Sequence, residues 1–328
     1  MQSSVPPSLL SGMIFGAGLT LSGVASPQVI KNQFRLSDFH MLITFLTASA
    51  SSAAIFAGHN LKAPDCKIPA RSDSSHGWLG KFDGNVIGGA MIGLGMSLTG
   101  ACPGTVLVQA TAGIGRSRLL ACSSLLAGVA WLKWKPYLTQ QPTIQSKDGS
   151  VMAATGWPAR TIVFGYEMAM LAAILTSLAV APRSSTLLHP VLGGVLIGVG
   201  QLSSVILAKK PVGVSAAYEE VGKTFWNVME GRKLNQLPES IVFACGLMAG
   251  SWLTMFYVPA TWEALARSEE PSLLFTLAGG FLLTFGARIA GGCTSGHGIS
   301  GMANMSLSSF ITVASMFGMG LLSGFVLR

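Results

Sequence analysis

The chain has 328 residues, of which 50% are hydrophobic and only 10% charged, with a mean hydropathy of +0.55 and a formal net charge of +8. Soluble domains carry about 25% charged residues; so few charges cannot cover a surface facing water, which excludes an ordinary soluble domain and makes lipid the solvent. The positive charge is scattered through short loops and forms no patch, which argues against nucleic acid as a partner and fits the Lys/Arg bias of a membrane protein.

Apolar runs long enough to span a bilayer, about 17–25 residues each, fall at roughly 8–25, 39–58, 84–101, 117–132, 160–181, 187–207, 238–258, 272–290 and 307–327. About nine transmembrane helices are therefore predicted in an all-α polytopic membrane protein. The first, third, sixth and eighth are short or glycine-rich enough to end within the bilayer. No basic region precedes the first run, so no cleavable signal is expected.

Between the runs lie polar connections at 59–83, 133–159, 208–237 and 259–271. The segment 136–159 joins two halves, 1–135 and 160–328, of one membrane domain. If all nine runs cross, loops 59–83, 133–160 and 208–237 share one side with Arg288. Lys31, Arg35, Arg116, Arg118, Arg183, Arg267 and Arg328 fall on the other. The first side holds twice as many basic residues, which predicts a cytoplasmic N-terminus.

Self-similarity is the strongest pattern. Gly-rich segments recur from Gly12 (GMIFGAGLTLSGVASP), Gly89 (GAMIGLGMSLTGACPG), Gly193 (GGVLIGVGQLSSVILAKKP) and Gly279 (GGFLLTFGARIAGGCTSG). Aligning Gly18, Gly95, Gly200 and Gly286 brings Gly23, Gly100, Val205 and Gly291 into register. Two positions on stand Ala25, Cys102, Leu207 and Cys293. A short amphipathic stretch follows each break, at about 26–36, 103–113, 212–222 and 296–305.

Small residues alone would serve helix packing. A helix broken at one offset four times instead predicts four short re-entrant helices, an arrangement used by transporters to build a site near mid-membrane. Non-helical backbone at that depth lines a cavity or is packed within protein. A helix starting there presents free N–H groups and a positive dipole end to an anion. Pro103 suits a first helical position, which puts Cys102 at the mouth of one such helix; Cys293 is its counterpart in the last repeat.

The segments GARIAGGCTSGHGISG (Gly286 to Gly301) and GMSLTGACPGTVLVQ (Gly95 to Gln109) resemble the YeeE/YedE family of sulphur transport proteins, which includes thiosulfate uptake proteins. AKKPVGVSAAY (Ala208 to Tyr218) and LSGVASP (Leu21 to Pro27) match more loosely. The resemblance covers nearly the whole chain. It implies pseudo-twofold internal repeats, short helices pointing inward from both faces, and a central path along which cysteine thiols pass thiosulfate. On that carry-over Cys102 and Cys293 are the path cysteines.

Family members of this type have a further cysteine in the first repeat, where Ala25 stands here with Ser22 and Ser26 nearby. Around the two cysteines, Gly100, Pro103, Gly104, Thr105, Gly292, Thr294, Ser295, Gly296 and His297 complete the expected path, with Ser22 and Ala25 at the first break. A neutral thiol is a weak donor with a polarizable sulfur; it can meet the terminal sulfur of thiosulfate and still release it. Both thiols are therefore expected to stay protonated.

The remaining candidates divide. Cys66, Cys122 and Cys245 read as ordinary cysteines, and five cysteines without a CxxC pair support neither a disulfide framework nor a zinc site; no cofactor is expected. His297, one turn beyond Cys293, is a packing residue or an anion or proton ligand. Arg288 reads as snorkelling to the interface, with anion recruitment as the second reading. Lys209 and Lys210 are topology signals or line a basic vestibule. Gln201, Ser203 and Ser204 read as interhelical hydrogen bonders. Glu167 pairs with Arg160 or Arg183, or carries a coupling proton. A sulfur-transfer enzyme using Cys and His297 is the competing class, but no orienting acid is recognisable. A membrane subunit handing sulfur to a soluble carrier protein is the other alternative.

Overall fold

Proline opens helix after helix, because its missing N–H costs nothing in the first turn. It does so in α1 (Pro7–Leu21), α2 (Pro27–Phe34), α5 (Pro103–Ala112), α9 (Pro190–Ser203) and α12 (Pro259–Ala266). The computed structural model describes residues 6–62, 68–139, 149–180, 188–232 and 237–326. The other helices are α3 (His40–Lys62), α4 (Asp83–Thr99), α6 (Ser117–Leu138), α7 (Val151–Thr155), α8 (Ala159–Val180), α10 (Ser215–Met229), α11 (Glu239–Tyr257), α13 (Leu273–Ile289) and α14 (Leu307–Val326). Two wider π-helical segments, π1 (Ser204–Ala208) and π2 (Thr294–Gly301), continue α9 and follow α13. Among the described residues the only β pairing is an isolated bridge between Ser150 and Ser306.

Among the described residues six segments are long and apolar enough to cross a membrane: α3, α4 with α5, α8, α9 with π1, α11 and α14. A seventh is made by α13 with π2, bent by 47° at the break. Of the nine predicted runs, α1 has 15 residues and falls short, and α6 is diluted by Arg118, Lys133 and Lys135. The polar connections hold more helix than their composition suggests. Residues 208–237 contain all of α10, whose Lys223 pairs with Glu219 and Glu220 on its own surface, and 259–271 contain α12.

The breaks follow from backbone conformation. Gly23, Gly100 and Gly291, which share a register in the sequence, all have a left-handed φ of 76°, 67° and 78°, a region glycine enters without steric penalty. Val205 holds the same register and, being β-branched, is excluded from that region. There the helix runs on through π1 and stops one turn later at Lys209, φ 54°. A short helix follows each break: α2, α5, α10 and π2.

The most extensive packing joins the first half to the second: α1 on α11, α4 on α14 and α13, α13 on α6, and α3 on α9. The helix before each break, α1, α4, α9 and α13, thus lies on a helix that follows another break, α11, α14, α3 and α6 respectively. The α1–α11 contact is backbone on backbone. Gly12 and Gly16 face the main chain at Phe243 and Leu247, and Gly246 and Gly250 return the fit against Leu9 and Met13. Small residues four apart on both partners permit this approach. At the periphery stands α8, with 11% of its apolar window buried, against 72% for α4–α5 at the centre.

Candidate substrate path

The first, second and fourth breaks reach one cavity. It has about 50 Å³ of room for the centre of a water-sized sphere and is walled mainly by apolar side chains of α1, α3, α4 and α9. Its polar lining comes from the ends of the short helices: Cys102 and Thr105 of the second break and Thr294 and Ser295 of the fourth, joined by Thr44. An apolar wall with a few placed polar groups is the usual construction of a small-ligand site.

Cys102 is the N-cap of α5. Its Sγ accepts from the Thr105 amide at 3.5 Å, and its own amide donates to Thr105 Oγ1 at 2.8 Å. This reciprocal cap satisfies donors that a helix start leaves unpaired and fixes the thiol at the cavity wall. Pro103 and Gly104 follow, and the Pro103 carbonyl accepts from Tyr218 Oη at 2.7 Å. Gly104 keeps the wall thin: a Cβ there would meet Val214 and the sulfur of Cys102. Gly100 lies against Pro27, whose carbonyl would be 2.6 Å from an added Cβ.

Cys293 is buried and stands where π2 begins. Its Sγ lies 3.2 Å from Ser295 Oγ, and the Gly296 amide with the hydroxyl and amide of Ser215 also reach it. Two helix starts, those of π2 and α10, therefore meet at one sulfur. The Thr294 hydroxyl has only thioethers as partners among the described residues, Met316 Sδ at 3.6 Å and Met96 Sδ at 3.8 Å. Thioethers are weak acceptors, so this hydroxyl keeps donor capacity for an oxyanion.

The first break contributes differently. Val24 lines the cavity, whereas Ala25 is buried behind it with its carbonyl accepting from Gln109 Nε2 at 2.9 Å. The Ser22 hydroxyl turns back to Leu19 O, and its carbonyl meets His40 Nε2 at 2.7 Å. Neither residue lines the cavity. Gly292 and Gly296 flank Cys293 and lie against the guanidinium of Arg71.

His297 is committed on both nitrogens. Nε2 lies 3.0 Å from the Ala290 carbonyl, to which it donates, and Nδ1 lies 2.9 Å from Ser309 Oγ, from which it accepts. It ties the end of α13 to α14 and is not free to act as a base. Arg288 corrects the snorkelling reading. Its side chain is only 10% exposed, donates to Ser215 O at 2.9 Å and sits 3.3 Å from Glu219, because α10 offers a counter-charge on its buried side. Gln201 Oε1 accepts from Ser300 Oγ at 2.8 Å, linking α9 to π2. Ser203 and Ser204 bond within their own strand of chain, to Gly200 O and Lys210 O.

One Glu167 carboxylate oxygen is buried without a partner among the described residues. No ion pair joins it to Arg160, and Arg183 lies outside the described residues, as does Cys66. Cys122 and Cys245 are exposed on α6 and α11, away from the cavity. No group of three His, Cys, Asp or Glu among the described residues could hold a metal. Two residues at the site escaped the sequence reading. Tyr218, fully buried beside both thiols, lay inside a quoted motif; Arg71 lay in a loop with no motif at all.

Interrupted helices closing on a buried cavity define an integral membrane protein of the transporter type. The chain belongs to the sulphur transport family (Sulf_transp), which matches residues 22–322. It is 24% identical over 254 residues to the thiosulfate transporter TsuA of Spirochaeta thermophila, covering 71% of this chain and 74% of that protein. A probable transporter of Xylella fastidiosa is 30% identical over 134 residues, which is 84% of that protein and 38% of this chain. A second from the same species is 31% identical over 124 residues, 82% of its length and 37% of this one.

Proposed function

We propose that the chain transports thiosulfate, or a sulfur anion of the same class, by handing it between the thiols of Cys293 and Cys102. The observation that carries this reading is the placement of both cysteines at the starts of short helices whose polar ends open on one cavity. Helix starts favour the charge of the anion, and thiols and methionine sulfurs suit its soft end. The relative named a thiosulfate transporter supports the substrate class. Ala25 leaves the first break without a thiol, so the proposed relay has two stations. Pseudo-twofold repeats are part of the same proposal, supported by the reciprocal packing of helices before and after the breaks and by relatives that match less than half of this chain.

The test is uptake of sulfur-labelled thiosulfate into proteoliposomes by wild type, Cys102→Ala and Cys293→Ala. Saturable uptake by wild type, reduced to background in both variants with unchanged melting, is the expected result. Uptake retained by either folded variant would remove that thiol from the path.

The start of α1, Arg71 and Lys210 border a common hollow and so share a face, which we place on the cytoplasmic side from the Lys/Arg excess. A Ser8→Cys variant should resist a membrane-impermeant thiol reagent added to intact cells and react once they are opened. Labelling in intact cells would invert the orientation.

A further inference from the structure

The hollow bordered by Ser8, Arg71 and Lys210 is far larger than the central cavity, with about 540 Å³ for the centre of a water-sized sphere. Its other charged walls are Glu220 and Glu239, and these charges cancel in pairs. Lys210 pairs with Glu239, and Lys223 donates to Glu220 at 2.7 Å. Arg71 stands apart. Among the described residues no carboxylate is within ion-pair range of its guanidinium, whose one hydrogen bond there runs from Nη1 to the Gly291 carbonyl at 2.8 Å; the Arg71 carbonyl accepts from Ser306 and Ser308. Most of the five N–H groups of the guanidinium therefore have no partner among the described residues.

The glycines of the fourth break make room for it. A Cβ on Gly292 would come within 2.5 Å of Arg71 Nη1, one on Gly296 within 2.7 Å of Nη2, and one on Gly213 within 3.4 Å of Nη2. Gly292 and Gly296 bracket Cys293, so the guanidinium lies over the start of π2 with the hollow on its other side. The second cation nearby, Arg288, is already held by Ser215 and Glu219. A partly buried guanidinium without a counter-charge is costly unless an anion completes it. Its planar fork suits the oxygens of a tetrahedral oxyanion.

We propose that Arg71 is the oxyanion-binding residue at the hollow's end of the path, gripping the oxygens of the sulfur anion while its soft end meets Cys293. The inference rests on the transport reading above and narrows the substrate class to an anion with hard oxygens at one end and a polarizable atom at the other.

The experiment titrates purified wild type, Arg71→Gln, Arg71→Lys and Cys293→Ala with sodium thiosulfate in a calorimeter, and measures thiosulfate exchange by the same proteins in liposomes loaded on both sides. Arg71→Gln should weaken binding and raise KM by roughly tenfold or more, the usual size of a hydrogen bond to a charged group. Arg71→Lys should fall between, keeping the charge without the fork. Cys293→Ala should bind yet not exchange. Wild-type affinity and KM in folded Arg71→Gln would overturn the proposal. If that variant does not fold, wild-type values in Arg71→Lys overturn it instead. Binding that depends on Arg71 in a wild type that exchanges nothing would sink the transport reading and leave the Arg71 site standing.

Discussion

Cys102 and Cys293 both stand just before a short helix, yet the two positions are built differently. Cys102 is capped within its own helix, through Thr105 with the Gly104 amide beside it, and looks into an apolar cavity from an α-helical start. Cys293 is buried among donors from two helix starts, Ser295 and Gly296 of π2 and Ser215 of α10. The glycines behind them differ too. Gly100 is pressed on the Pro27 backbone, while the nearest atom to a Cβ on Gly291 would be Ser74 Cβ at 3.9 Å. The second break is sealed by packing and the fourth by hydrogen bonds, with Arg71 standing between the fourth and the larger hollow.

Alanine at each glycine sharpens that contrast. Gly100→Ala should lose about 2–5 kcal/mol, with left-handed strain of about 1–2 kcal/mol added to overpacking of about 1–3 kcal/mol. Gly291→Ala should lose only the strain. Unfolding in detergent reads both, and equal losses would show that the second break is no tighter than the fourth.

A smaller effect separates the hydroxyls. Thr105→Val removes the hydroxyl arm of the Cys102 cap while the amide of residue 105 stays on the sulfur, and should cost about 1 kcal/mol together with a fall in maximal uptake. Ser295→Ala leaves Cys293 its other donors, so it should melt like wild type and raise KM by a few-fold, as loss of one neutral hydrogen bond does. A large stability loss in Ser295→Ala with none in Thr105→Val would reverse the assignment of packing and hydrogen bonding to the two breaks.

The breaks were legible in the sequence wherever glycine marks them, since a left-handed residue followed by Pro103 or by a Gly-rich run admits few other readings. The third was misplaced by a turn because Val205 bars the conformation and nothing local announces that Lys209 will adopt it. Cys102 and Cys293 were legible from register and resemblance together. Arg71 was not, because charge in a polar loop reads as a topology signal and only tertiary folding lays it on Gly292 and Gly296. Arg288 was misread for a related reason. Its counter-charge, Glu219, lies in the amphipathic stretch predicted at 212–222, but only tertiary folding lays that stretch against Arg288.

The glycine faces carry one more consequence, which concerns assembly. The most extensive helix contacts, α1 on α11 and α4 on α14 and α13, all run between the first half of the chain and the second. Within the first half, α3 and α6 pack on short elements and on little else. The small-residue faces of α1 and α4 are thus covered from the second half of the chain, as a partner subunit would cover them. The peptide connection between the two halves fixes their ratio at one to one.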